Sequence, residues 1–118
     1  AAVPRFAYTA NVPLFMRTRT LIEDNVPQAS KAFALLAAYG TDTVDPCVPS
    51  SMLKRHPRAV LRTTKAAAWA LLEFRETGVV SEEMLLQLAD SVPDRETNRQ
   101  HTAEHMRSVL ERMQITCL

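Results

Sequence analysis

The segments AFALL, residues 32–36, and AWALL, residues 68–72, repeat one pattern at an interval of 36 positions. In each segment a bulky aromatic residue, Phe33 or Trp69, stands among alanines and a pair of leucines. A period of this length is typical of stacked helix pairs, in which each pair buries its apolar face against its neighbours. The pattern therefore predicts an all-α fold of five or six helices, arranged as stacked antiparallel pairs and suited to binding.

Composition supports a single folded domain. The chain has 118 residues, of which 47% are hydrophobic and 23% are charged, as in ordinary globular proteins. Its two glycines are too few for a glycine-rich loop that would cradle a nucleotide phosphate. We predict an extended N-terminal arm at residues 1–12, an all-α domain at residues 13–118, and no transmembrane segment.

Capping signals divide the domain into helices. Asn11 is a good N-cap for a helix that has Pro13 in its first turn. Gly40 and Gly78 each follow an apolar stretch, which predicts left-handed C-caps at both. The predicted helices run from Pro13 to about Asp24, from Pro27 to Gly40, briefly through Met52 and Leu53, from Arg58 to Glu76, from Ser81 to Pro93 and from Thr97 to Met113. No stretch is predicted as a strand.

A metal-binding motif occurs at residues 101–105, HTAEH, which matches the H-x-x-E-H pattern of some zinc proteases. His101 and His105 could share one zinc ion, with the glutamate between them as a base. Helical spacing places both histidines opposite the apolar row of the same helix, which predicts that they face solvent. We therefore predict no metal, no cofactor and no catalytic residue, and keep His101 and His105 as the zinc candidates.

A basic row is predicted on the strongest helix. Arg58, Arg62 and Lys65 follow i, i+4, i+7 spacing, and Trp69 continues the row, so that Lys65 could stack on its ring. Such a face would dock on an acidic protein partner, or bind the phosphates of RNA or anionic lipid. The formal net charge of +1 is low for a nucleic-acid-binding domain.

The last helix carries a narrow apolar seam for another helix, formed by Met106, Leu110 and Met113. Charge is also unevenly spread. Residues 1–72 hold nine basic and four acidic side chains, whereas residues 73–118 hold five and nine. This polarity favours docking within an assembly, or self-association head to tail.

Two cysteines, Cys47 and Cys117, lie far apart and outside any paired motif. Free thiols are the favoured prediction, and a single disulfide is the alternative. The start of the chain contains arginine but no acid before Glu23, as in organellar presequences. Removal of a targeting peptide and a trimmed start are both compatible with this pattern. The expected location is mitochondrial, and otherwise intracellular and soluble.

The segment 66–90, AAAWALLEFRETGVVSEEMLLQLAD, resembles one unit of the heptatricopeptide and octotricopeptide repeats found in FAST-kinase-like proteins. It is similar, more distantly, to pentatricopeptide repeats. The resemblance covers about 60 residues when the degenerate copy at residues 30–57 is included. It implies a helical-repeat protein that binds organellar RNA or serves as a scaffold.

Together these features predict a non-catalytic accessory subunit of a larger mitochondrial assembly, such as a respiratory complex or ATP synthase. Its partners would be the other protein subunits. The alternative is a small RNA-binding helical-repeat protein, or one associated with the mitochondrial ribosome, that uses Arg58, Arg62, Lys65 and Trp69.

Overall fold

The computed structural model describes residues 3–24, 29–92 and 99–118. These residues are mostly helical, with one small parallel sheet. In chain order the elements are α1 (Val12–Met16), β1 (Leu21–Asp24), a 3₁₀ helix (Ala29–Lys31), α2 (Ala32–Tyr39), a second 3₁₀ helix (Pro49–Arg55), β2 (Ala59–Arg62), α3 (Lys65–Thr77), α4 (Glu82–Asp90) and α5 (Arg99–Arg112). The predicted helix boundaries at Pro27, Pro93 and Thr97 lie outside the described residues.

The parallel sheet corrects the expectation of an all-α fold. Strands β1 and β2 pair in a register that runs from Leu21 opposite Ala59 to Asp24 opposite Arg62. These strands occupy the end of one predicted helix, residues 13–24, and the start of another, residues 58–76. The chain is therefore mostly helical rather than all-α.

Local side-chain chemistry explains why the first helix stops early. The predicted cap is confirmed, because the Asn11 side chain accepts a hydrogen bond from the Leu14 N–H at 3.0 Å. After Met16 the Thr18 hydroxyl donates to the Phe15 carbonyl at 2.7 Å. Threonine that bonds to nearby backbone in this way competes with helical hydrogen bonds. The apolar pair that follows, Leu21 and Ile22, is thus free to form a strand.

A threonine cap also delays the start of α3. The Thr64 side chain accepts a hydrogen bond from the Ala67 N–H, so the helix begins at Lys65 rather than at Arg58. At its other end Gly78 has φ 76°, which confirms the predicted left-handed C-cap. Ser81 caps α4 as predicted, through a hydrogen bond from the Met84 N–H.

The two similar segments (here called pentads), residues 32–36 and 68–72, lie in helices that pack against each other. Helix α2 packs closely on α3, and α4 packs closely on α5. The pentads do not occupy equivalent environments: Leu36 is fully buried, whereas its counterpart Leu72 is 51% exposed. Phe33 and Trp69 are both half-buried against the core. The two pentads thus belong to the two helices of a single pair, α2 and α3. Repeat-like stacking of several pairs remains a prediction.

The C-terminal tail, residues 113–118, connects the two helix pairs. Met113 and Ile115 are buried in the same apolar cluster as Leu36, Leu88 and Leu110, which draws on both pairs. Full burial of such side chains contributes roughly 1.5–3 kcal/mol each. The tail therefore belongs to the core.

Polar contacts hold the tail from two directions. The Val80 N–H donates to the Thr116 carbonyl at 2.8 Å, and the Leu118 N–H donates to the Val80 carbonyl at 2.9 Å. On the other side the Thr41 hydroxyl donates to the Met113 carbonyl at 2.6 Å. These bonds fasten the tail to the start of α4 and to the loop that follows α2.

An ion pair links the end of α5 to the loop at residues 41–48. Arg112 Nε lies 2.6 Å from Asp45 Oδ2. The hydrogen bond from Arg112, followed by one from the Cys47 N–H, holds the pKa of Asp45 below its ordinary value. The loop is therefore tied to a residue 67 positions away.

Gly40 differs from its predicted geometry. It is the C-cap of α2, but its φ of −64° and ψ of −37° are right-handed, so it is not needed for a left-handed turn. Glycine is required here for another reason. A Cβ atom at this position would lie 2.7 Å from the Leu36 carbonyl oxygen and 2.8 Å from Ile115 Cδ1. The backbone of α2 and, on the other side, Ile115 of the tail therefore both crowd this position.

We predict that Gly40→Ala lowers the free energy of unfolding by about 1–3 kcal/mol, because overpacking forces the backbone or Ile115 to move. Urea unfolding monitored by circular dichroism measures the loss. Ile115→Val removes the clashing Cδ1 atom, so the double variant should lose less stability than the sum of the two single variants. Additive losses would contradict the assigned contact.

Candidate functional site

The N-terminal segment, residues 3–24, contributes no buried residue to the structure. It nevertheless carries large apolar side chains that are at least half exposed. These are Val3, Phe6, Tyr8, Leu14 and Ile22. Phe6 is 87% exposed and Tyr8 is fully exposed. Apolar area of this kind is stabilised when a partner removes it from water.

A buried histidine attaches the segment to the rest of the domain. His56 is 5% exposed, and its Nε2 atom lies 2.6 Å from the Thr18 carbonyl oxygen. Its Nδ1 atom accepts a hydrogen bond from the Arg58 N–H at 2.9 Å. Since Nδ1 accepts, the ring proton is on Nε2 and is donated to Thr18. These hydrogen bonds add to the packing of α1 on the second 3₁₀ helix, where Phe15 and Met16 are half-buried.

The β1–β2 sheet makes the second attachment. The Leu21 N–H donates to the Arg58 carbonyl at 3.1 Å and begins the ladder. Ile22 and Val60 are register partners and are 55% and 49% exposed, so one sheet face presents an apolar pair. The ion pair between Arg62 and Asp24, at 3.4 Å, is well exposed and contributes little stability.

A cleft of about 530 Å³ opens on the other side of the sheet. Its walls come from both strands, the second 3₁₀ helix, α3 and the end of α2. Apolar side chains that include Leu21, Leu53 and Leu71 line much of it, and Leu72 lies at its exposed part. A cleft of this size and composition is within the usual range for binding sites.

Two side chains of the cleft, Tyr39 and Lys54, have pKa values shifted from their ordinary values. The Tyr39 hydroxyl donates a hydrogen bond to Glu23 Oε2. Burial, and then the hydrogen bond and charge of Glu23, raise the pKa of Tyr39 well above its ordinary value. Lys54 Nζ donates to the carbonyls of Thr41 and Thr43 at 2.6 and 2.7 Å, and burial lowers its pKa.

The prediction that the basic residues share one helix face is wrong. Arg58 precedes β2 and Arg62 ends it, so neither shares a helix with Lys65 and Trp69. Within the described ranges the recorded cation–π contact is Arg5 over Phe6, at 6.0 Å, and not Lys65 on Trp69. Arg58, Arg62 and Lys65 are each exposed, but they do not form the predicted row on one helix.

The predicted seam on the last helix is also corrected. Met106, Leu110 and Met113 are between 0% and 4% exposed, because they pack into the core beside α4 and the tail. The seam does receive a helix, but that helix belongs to the same chain. It therefore offers no surface to another subunit.

The histidines of the zinc motif are both exposed on α5, as their spacing predicted. No group of three or more His, Cys, Asp and Glu side chains among the described residues is arranged to hold a metal ion. Cys47 and Cys117 are both free thiols, and burial raises the pKa of Cys117. Among the described helices, none is long and apolar enough to cross a bilayer.

Sequence reasoning missed the cleft and the role of His56. Glu23, Tyr39 and Lys54 come from three separate elements, so no local motif connects them. One signal was present: Tyr39 places a polar hydroxyl at the end of an otherwise apolar helix. Buried tyrosine hydroxyls usually find a partner, which marks Tyr39 as a position to examine.

No protein-family model, no curated protein and no solved structure matches this chain. Function is therefore inferred from its own residues.

We predict that Tyr39→Phe changes the response of stability to alkaline pH. The raised pKa means that the fold favours the neutral hydroxyl. The resulting stabilisation is complete below the ordinary pKa of 10.0 and is lost as the pH rises above it. The wild-type free energy of unfolding should therefore fall faster above about pH 10 than that of Tyr39→Phe. Lys54 titrates in both proteins, so its effect cancels in the difference.

Urea unfolding at several values between about pH 8 and pH 11 tests this difference. Tyr8→Phe is the matched control, because that hydroxyl is fully exposed. It should leave the pH dependence of the wild type unchanged. Parallel curves for wild type and Tyr39→Phe would contradict the assigned environment of Tyr39.

Proposed function

We propose that this protein is a non-catalytic accessory subunit that binds other subunits of a larger assembly through its N-terminal segment. The observation that carries the proposal is that residues 3–24 contain no buried residue yet expose several large apolar side chains. A chain that has a well-packed core elsewhere gains no internal stability from these side chains. Burial of these side chains against a partner would remove their apolar area from water and so stabilise the complex.

The arm, residues 3–11, has the chemistry of an anchoring peptide. Phe6 and Tyr8 are two positions apart, so in an extended chain they project to the same side. Aromatic side chains of this kind bury 150–250 Å² each, as a typical range, and often dominate binding energy at interfaces. The exposed pair Ile22 and Val60 extends the apolar surface onto the sheet.

The setting of the assembly rests on sequence alone. The resemblance of residues 66–90 to organellar helical repeats favours a mitochondrial complex, such as a respiratory complex, ATP synthase or ribosome. Stacked helix pairs would then be a variant of the repeat architecture, with α2 on α3 and α4 on α5. RNA binding is the alternative function. It is less favoured here, because Arg58 and Arg62 do not continue the face of α3.

We predict that the double substitution Phe6→Ser and Tyr8→Ser reduces recovery of the partner subunits at least tenfold when tagged protein is isolated from its native cells. A tenfold loss corresponds to about 1.4 kcal/mol, which is less than burial of one aromatic side chain contributes. Leu118→Ser is the matched control, because Leu118 is 70% exposed but lies outside the N-terminal segment. It should retain the partners.

Treatment with ribonuclease before isolation separates the two functions. Partners that remain after ribonuclease support the accessory-subunit proposal. Loss of all partners after ribonuclease, together with full recovery by the Phe6→Ser and Tyr8→Ser variant, would refute it and favour RNA binding. Isolation of the wild-type protein as a free monomer would also refute it.

A further inference from the structure

We propose that the cleft beneath the β1–β2 sheet receives the N-terminal arm of a second copy of this chain, with Phe6 and Tyr8 entering the apolar part of the cleft. The inference rests on the proposed function and specifies one partner for the arm. The contact would be head to tail, since the arm of one copy meets a different surface on the next.

The two surfaces are unfilled in each copy. Phe6 and Tyr8 are almost entirely exposed, so they do not occupy the cleft of their own chain. The cleft lining is mixed, and its apolar part includes Leu53, Leu71 and Leu72. Its volume of about 530 Å³ is suited to one or two aromatic side chains. The same molecule thus presents an apolar peptide and a cleft with an apolar part that could receive it.

Charge inside the cleft favours this peptide. Two cations line the cleft, Lys54 and Arg75. Lys54 is already bonded to two carbonyls and lies near Asp42, whereas Arg75 is exposed and, among the described residues, forms no ion pair with Glu23. Glu23 is half-buried and accepts from Tyr39, but among the described residues it has no ion pair with a cation. A half-buried carboxylate without a cation is stabilised by the arrival of one.

The arm brings a cation beside its aromatic residues. Arg5 lies over the Phe6 ring, and the arm contains no acid. Arg5 would therefore reach the region of Glu23 as Phe6 enters the apolar lining. An acidic or purely apolar peptide would leave that carboxylate unpaired, which gives the cleft a preference for this arm.

Sedimentation velocity of the full chain tests the proposal. The wild-type protein should show a mass that rises with concentration and passes beyond the dimer, because a head-to-tail contact leaves a free arm and a free cleft at the ends. The association should be weaker than about 1 μM, since the buried area is small. Arg5→Gln should weaken it several-fold.

Two complementary variants make the test specific. Phe6→Ser with Tyr8→Ser removes the arm anchors and keeps the cleft. Leu72→Lys keeps the arm and places in the cleft a cation that repels Arg5 and competes for Glu23, and the Leu72 side chain is already 51% exposed, so the fold should tolerate the change. Each variant alone should be monomeric. Their mixture should form dimers and nothing larger, because only one arm and one cleft match.

Leu118→Lys is the control for the introduced charge and should associate like the wild type. A wild-type protein that stays monomeric to about 1 mM would overturn the inference. A mixture of the two variants that fails to dimerise would overturn it too. Should Leu72→Lys still recover the assembly from cells while the arm variant does not, the self-association is refuted and the accessory-subunit proposal stands.

Discussion

The C-terminal tail packs against the end of α2 and holds the two helix pairs together. Ile115 fits where Gly40 has no side chain, and Met113 is buried beside it. The tail also pairs with Val80 at the start of α4. One short segment therefore joins the α2–α3 pair to the α4–α5 pair. The residues of the apolar cluster all come from the ranges 29–92 and 99–118, and the N-terminal segment contributes none of them.

This arrangement explains how the exposed segment can be both ordered and available. His56 and the strand ladder hold it by hydrogen bonds, and α1 packs on the second 3₁₀ helix, yet Phe6, Tyr8 and Ile22 stay exposed. The same sheet covers one side of the cleft, so the segment and the cleft are positioned by one set of contacts. A surface that is fixed in place before binding loses less conformational entropy when a partner covers it.

Local signals predicted much of the helical structure. Asn11, Thr64, Ser81 and Gly78 act through neighbours within a few positions, and the structure places a helix end at each. The predictions based on Asn11, Ser81 and Gly78 are confirmed, whereas Thr64 was not recognised as a cap. Helix caps can be predicted from sequence because the capping residue and the backbone group that it bonds are only a few positions apart.

The strands and the cleft depend on residues that are far apart in the chain. Leu21 and Ile22 fit the apolar face of a helix as well as a short strand, and only pairing with Ala59–Arg62 decides between them. For the same reason the spacing of Arg58 and Arg62 wrongly predicted a helical face, since Arg62 ends β2. Gly40 was predicted as a C-cap, but its contact with Ile115 joins residues far apart in the chain, so no local sequence pattern indicates it.

Hydrogen–deuterium exchange of the protein, free and within its native assembly, locates the surface that the partners cover. Incorporation should slow exchange in residues 3–24 and in β2, whereas α4 and α5 are already protected by the core and should change little. Residues 3–24 that exchange equally fast in both states, with new protection confined to α4 and α5, would show that the partners bind elsewhere and would refute the role proposed for the N-terminal segment.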